Sequence, residues 1–185
     1  MGSLIIVTGG ARSGKSAYAL QRGEQIAGTR HFLATCPVTD AEMSLRIDRH
    51  RQERQGRGWR SIEEETDIAG RIAAMEDPGP VLIDCLTLWL NNLLYRAESR
   101  RASFDEKDVA GECQRLLLAV AGHRGTVICV TNEVGMGIVP DNPLARHYRD
   151  LVGCCNRLLA AAADEVVLVS CGIPLILKST DRQSA

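Results

Sequence analysis

Lysine is nearly missing from this chain. Only Lys15, Lys107 and Lys178 occur among 22 basic residues, which leaves 19 arginines. Against 23 acidic residues the formal net charge is −1, which argues against a nucleic-acid binder working through a basic surface. There is no C-x-x-C pair, and the seven cysteines (36, 85, 113, 129, 154, 155 and 171) are odd in number. A disulfide frame or zinc site is therefore not expected; several cysteines fall in apolar runs and read as small hydrophobes in a reducing cytoplasm. No apolar stretch reaches 18 residues, and the sequence enters a strand-like run at once, so neither a membrane span nor a signal peptide is expected. No repeat, low-complexity tract or linker interrupts the 185 residues, so one domain over 1–185 is expected.

What is present is a phosphate-binding loop. Gly9, Gly10, Ala11, Arg12, Ser13, Gly14, Lys15 and Ser16 follow the apolar run Leu4-Ile5-Ile6-Val7 and precede helix-compatible Ala17-Tyr18-Ala19-Leu20. Strand, G-x-x-x-x-G-K-S and helix form the context this motif requires. Glycines let successive N–H groups point at phosphate oxygens, and the helix adds the positive end of its dipole. Lys15 can reach the β- and γ-phosphates, and the Ser16 hydroxyl can ligate Mg²⁺. The implied ligand is a nucleoside triphosphate with magnesium.

Strand-like and helix-like segments alternate, which predicts an α/β fold with a mostly parallel sheet. Strands are expected at 4–8, 31–35, 81–85, 126–131 and 165–170, with 173–177 closing a terminal antiparallel hairpin. Helices are expected at 15–26, 41–54, 63–75, 86–98, 105–122 and 143–162. In such sheets ligands gather outside the carboxyl ends of the strands, so strand exits are where chemistry is sought.

Asp84 closes the strand Val81-Leu82-Ile83 and suits a magnesium-orienting carboxylate; capping the next helix is a compatible role. The exit Ala34-Thr35-Cys36 lies at the same edge. On 41–54, Arg46, His50 and Arg54 share one helical face. An imidazole between guanidiniums stays neutral and nucleophilic, and the guanidiniums can hold phosphates. A solvated charged helix fits the same spacing. Glu63 reads either as a ribose or base contact or as the acidic first turn of a helix. The exit from Thr131 through Asn132, Glu133, Gly135 and Gly137 to Pro140 is expected to lie beside the ligand, with Asn132 and Glu133 facing it; a long crossover is the competing reading. His147 is the rival catalytic histidine, while His31 and His123 read as structural.

Gly9 to Ser16, Ala34-Thr35, Glu42-Met43 with Arg46-Ile47 and His50-Arg51, Trp59-Arg60 with Glu63-Glu64, Thr131 to Pro140, Asn142 to Asp150 and Ala161 to Val166 together resemble one family. It is that of the bifunctional adenosylcobinamide kinase/adenosylcobinamide-phosphate guanylyltransferases of cobalamin synthesis. The resemblance implies a RecA-like P-loop fold, a trimer and a two-step enzyme. ATP or GTP phosphorylates the aminopropanol hydroxyl of adenosylcobinamide. GTP then guanylylates a histidine, and the GMP passes to adenosylcobinamide phosphate. The family's Arg-Ile-x-x-His-Arg pattern puts the guanylylated histidine at His50. Nucleotide contacts are implied at 9–16, at Ala34, Thr35 and Cys36, at Arg51, Gln52, Glu53 and Arg54, at Glu63 and at Asp84. A single-function P-loop kinase that leaves His50 on the surface, and a non-catalytic nucleotide switch, are the competing readings.

Overall fold

The computed structural model describes residues 2–37, 51–52 and 54–180. Seven strands form one sheet in the order β3-β2-β4-β5-β1-β6-β7. They are β1 (Ser3–Gly9), β2 (Arg30–Ala34), β3 (Trp59–Glu63), β4 (Val81–Asp84), β5 (Thr126–Val130), β6 (Glu165–Ser170) and β7 (Ile173–Ser179). Every neighbouring pair is parallel except β6–β7, which is antiparallel across the Cys171-Gly172 turn. The helices are α1 (Lys15–Glu24), α2 (Ile68–Ala73), α3 (Leu86–Ser99), α4 (Glu106–Gly122) and α5 (Pro143–Ala162).

The alternation of strand side chains divides the core in two. Leu4, Ile6, Leu33, Val81, Ile83, Val127 and Cys129 point to the face covered by α2, α3, α4 and α5, where Trp89 and Leu116 are wholly buried. Ile5, Val7, Phe32, Leu82, Ile128 and Val130 point to the other face, against Ala19 and Leu20 of α1. Burial on both faces explains why the central strands are continuous apolar runs rather than alternating ones. Truncating a fully enclosed side chain such as Leu82 or Ile83 to alanine costs about 2–5 kcal/mol.

The expected strands are all present, and the terminal hairpin is antiparallel as expected. The segment around 63 differs. A helix over 63–75 is predicted, but Trp59–Glu63 is a strand parallel to β2, and the helix begins only at Ile68. The Glu64 carboxylate accepts from the backbone N–H groups of Thr66 and Asp67, and Asp67 accepts from Gly70 N as the cap of α2. The acidic run thus turns the chain from strand to helix instead of opening the helix itself. The helix expected over 41–54 lies almost wholly outside the described residues; Arg51, Gln52 and Arg54 are helical.

Candidate active site

The carboxyl ends of the five strands from β3 to β1 share one edge, and the register fixes their order along it. Ala34, Asp84 and Val130 are level with one another, and Val130 is level with Val7 of β1. Two residues beyond Val7 the chain enters the phosphate loop. Gly9 has no room for a side chain: a Cβ there would stand 2.3 Å from the Val169 carbonyl oxygen and 2.7 Å from Ser13 Oγ. Gly14, at φ 97°, supplies the left-handed turn into α1. From the other side, Gly172 N donates to the Ser13 carbonyl at 2.8 Å, so the β6–β7 turn braces the loop.

Helices α2, α4 and α5 have their first N–H groups occupied by Asp67, Asp105 and Asn142. The N-cap of α1 is Gly14, which has no side chain to offer. Its first turn therefore has no side-chain cap, the arrangement in which such loops can turn N–H groups toward an anion. Lys15 Nζ donates to the Gly10 carbonyl at 2.8 Å across the loop. The Ser13 hydroxyl oxygen is buried without a hydrogen-bond partner. Ala11 and Arg12 form the exposed tip, Arg12 at φ 56°, and Ser16 follows Lys15 in the first turn of α1.

A second feature lies where β2 and β3 end. A cavity of about 290 Å³ is lined by Ala34, Cys36, Arg51, Arg54, Ser61, Glu63 and Glu65. It shares Arg51, Arg54 and Ser61 with a wider, more open hollow of about 720 Å³ that Gln52 and Trp59 also line. Five of the lining residues, drawn from three separate stretches, are among those predicted to bind nucleotide. Arg54 is buried, its guanidinium carbon lies over the Phe32 ring, 3.6 Å from the centroid, and Nη2 donates to Ser61 Oγ at 3.3 Å. Arg51 pairs with Glu63 at the rim.

The structure does not bring every predicted residue to this wall. Thr35 is fully buried; its hydroxyl donates to the Cys85 carbonyl at 2.8 Å and accepts from Cys85 N at 2.9 Å. Its carbonyl accepts from Asn92 Nδ2 at 2.8 Å, so its polar atoms are spent on tying β2 to β4 and α3. His50, Arg46 and Glu53 lie outside the described residues. None of the other three histidines lines either cavity. His147 Nε2 meets the Phe104 carbonyl at 2.8 Å, and buried His123 meets that of Gly79 at 3.0 Å. Burial holds the His31 imidazole below its ordinary value, against the opposing pull of Asp77. Burial, reinforced by the Asp84 carboxylate, pushes the Cys85 thiol up to about 11, so the cysteine beside the metal candidate is a thiol rather than a thiolate.

Sequence reasoning missed Ser61 and Glu65, since the strand that carries Ser61 and ends two residues before Glu65 was not foreseen. It placed Glu133 at the site but not its bonds. Glu133 N donates to the Gly9 carbonyl at 3.2 Å. Its Oε1 accepts from Thr8 Oγ1 at 2.6 Å and from Asn156 Nδ2 at 3.3 Å.

A phosphate loop between β1 and α1, in a parallel sheet whose acidic Asp84 strand is separated from β1 by one intervening strand, defines a P-loop protein of RecA-like architecture. A solved ATPase from the type III secretion system of pathogenic bacteria has the same fold at 14% identity, TM-score 0.56, with 91% of this chain and 51% of that one covered. So does the flagellar accessory protein FlaH from Methanocaldococcus jannaschii, at 12% identity, TM-score 0.51, covering 96% and 78%. Within that class the chain belongs to the cobinamide kinase/cobinamide phosphate guanyltransferase family, which it matches over residues 5–177. It is 42% identical over 185 residues to the bifunctional adenosylcobalamin biosynthesis protein CobU of Escherichia coli K12, covering 95% of this chain and 99% of that protein. It is 35% identical over 174 residues to the bifunctional protein CobP of Pseudomonas aeruginosa, covering 94% and 96%.

Proposed function

We propose that this protein is a bifunctional kinase and guanylyltransferase acting on adenosylcobinamide. It transfers a γ-phosphoryl group from ATP or GTP to the aminopropanol hydroxyl. It then moves GMP from GTP, by way of guanylylated His50, onto adenosylcobinamide phosphate to give adenosylcobinamide-GDP. One catalytic domain over 1–185 carries both steps, as a homotrimer in the cytoplasm. Seven free cysteines suit that compartment, and among the described residues no helix is long and apolar enough to cross a membrane.

The observation that carries the reading is the cavity wall. Ala34, Cys36, Arg51, Arg54 and Glu63 converge on one cavity along the same strand edge as the phosphate loop. Strand spacing puts β2, three places from β1, roughly 14 Å away, a span that a nucleoside triphosphate can bridge. The phosphates would sit on the loop backbone and Lys15, and the nucleoside end would lie between Arg54 and Glu63. The α-phosphorus would then fall between the two. A covalent phosphoramidate splits nucleotidyl transfer into two in-line displacements, so GTP and a bulky corrinoid need not be bound at once.

Magnesium fits the same edge. Ser16 and Asp84 offer a hydroxyl and a carboxylate, hard oxygen donors of the kind Mg²⁺ takes. Among the described residues no group of three or more acidic, histidine or cysteine side chains could hold a metal by itself. An ion bound by these two residues would complete its shell with phosphate oxygens and water, and would supply charge neutralisation on the transferring phosphoryl group.

Incubation with α-³²P-labelled GTP tests the reading. The expected result is a protein-bound label that survives base, is released by acid, is lost in His50→Ala and is retained in His147→Ala. Adenosylcobinamide should also stimulate release of nucleoside diphosphate. No label, with cobinamide-dependent diphosphate release intact, would leave a plain kinase; neither signal would overturn both activities.

A further inference from the structure

We propose that Glu133 is the general base of the phosphoryl-transfer step, taking the proton from the acceptor hydroxyl as it attacks the γ-phosphorus. This rests on the kinase reading above and adds a residue to it.

The argument starts from position. Glu133 lies three residues beyond β5, the strand between β1, which ends in the phosphate loop, and β4, which ends in Asp84. Phosphates held by that loop, with a magnesium ion reaching toward Asp84, would lie over the end of this middle strand. The backbone ties Glu133 there, since its N–H donates to the carbonyl of Gly9, the first residue of the loop.

The side chain is held by one oxygen only. Oε1 accepts from Thr8 Oγ1 at 2.6 Å and from Asn156 Nδ2 at 3.3 Å, so β1 and α5 fix the carboxylate from two sides. Asn156 also donates to the Asn132 carbonyl at 3.1 Å and accepts from Thr131 Oγ1 at 2.6 Å, which locks the strand exit. Oε2 takes no hydrogen bond among the described residues, and it is not one of the buried polar atoms lacking a partner. A carboxylate that served only to brace the loop would be expected to use both oxygens. One anchored oxygen beside one open oxygen is the arrangement a general base requires: fixed in place and free to accept.

In the step, a lone pair of the acceptor hydroxyl forms the new O–P bond. The bond from the γ-phosphorus to its bridging oxygen breaks, and that electron pair leaves with the nucleoside diphosphate. The hydroxyl proton passes to Oε2 and from there to solvent. Guanylylation of a neutral histidine needs no such base, because the attacking nitrogen carries its lone pair already. The two activities therefore differ in their need for Glu133.

The test compares them in Glu133→Gln, which preserves shape and the Thr8 contact. Cobinamide-dependent diphosphate release should lose about 100-fold or more in kcat, with KM for the triphosphate within about threefold of wild type. Labelling by α-³²P-GTP should continue. Glu133→Asp, a base withdrawn by one methylene, should recover about tenfold over the glutamine variant. A kcat within about threefold of wild type, or a parallel fall of kcat and labelling, would overturn the proposal; the latter would mean a structural role. If Glu133→Gln does not fold, Thr8→Val releases Oε1 while leaving the carboxylate. It should slow the kinase step about tenfold and spare labelling, and an unchanged kinase rate overturns the proposal. Wild-type protein without diphosphate release overturns the kinase reading and this inference together, whereas active wild type with an insensitive Glu133→Gln overturns this inference alone.

Discussion

At the β1 end of the sheet edge the backbone makes the site, whereas at the β3 end long side chains do. The phosphate loop offers N–H groups, held by a glycine with no space for a Cβ and by a hydrogen bond from the neighbouring hairpin. The β2–β3 wall offers guanidinium and carboxylate groups, one buried over an aromatic ring and two paired at the rim. The first arrangement is rigid and indifferent to which nucleotide is bound, because every triphosphate presents the same oxygens. On the proposed reading the second can be selective, because it would meet the part of the nucleotide that differs. The two regions should therefore fail differently when altered.

The largest effect is expected at Gly9. Gly9→Ala would drive a methyl into the Val169 carbonyl at 2.3 Å. Overpacking against backbone should cost about 2–3 kcal/mol, with loss of both activities as the loop shifts. Gly10 is the contrast: a Cβ there meets nothing within 4 Å. Gly10→Ala should stay within about 1 kcal/mol of wild-type stability. Urea titration of both proteins measures the difference, and equal stabilities would mean that the loop is not held by packing.

This contrast explains what could be read from the sequence. The loop is encoded by eight consecutive residues, so its glycines, lysine and serine were legible together with the strand and helix around them. The central strands were legible because burial on both faces makes them apolar throughout. The wall was not legible as a surface. Its strand, β3, is five residues long and at the sheet edge, with Arg60, Ser61 and Glu63 exposed. An exposed edge strand need not show an apolar alternation, so Glu63-Glu64-Glu65 read as the start of a helix. Arg54 and Glu63 could be named singly from their segments and Arg51 through family resemblance, but their convergence with Ala34 and Cys36 required the register of β2 and β3. Glu133 shows the same limit at the other end: its place at a strand exit was visible, its single-oxygen anchoring was not.

An intermediate effect is expected at Arg54. Arg54→Ala removes a buried cation from the face of Phe32 and from Ser61. The stability loss should be about 1–2 kcal/mol. Labelling by GTP should fall about tenfold or more, with a smaller change in kinase kcat, if this wall holds the transferable nucleotide. Arg54→Lys keeps the charge but loses the flat stacking surface and the fork of donors, so it should resemble alanine more than wild type. A lysine variant with full labelling would show that the wall uses charge alone, which would blur the distinction between the two regions.

The smallest expected effect lies at the joint between them. Glu24, the last residue of α1, accepts from Trp59 Nε1 at 3.0 Å and from Arg57 Nη2 at 3.0 Å. The helix that opens at the phosphate loop is thereby tied to the start of the strand that builds the wall. Burial acts to raise the Glu24 carboxyl, but hydrogen bonds from Arg57 and Trp59 outweigh it and hold the group below its ordinary value of 4.5. A carboxylate depressed in the folded state stabilises fully above its unfolded pKa, and that stabilisation fades as pH falls through the folded one. Glu24→Gln should therefore cost about 1 kcal/mol at pH 7, a few degrees in Tm, with the difference from wild type shrinking below pH 4.5. If the two regions communicate through this joint, the same variant should lower labelling by GTP while leaving triphosphate binding at the loop intact. Equal Tm values at pH 7 would mean that the wall stands without its tie to α1.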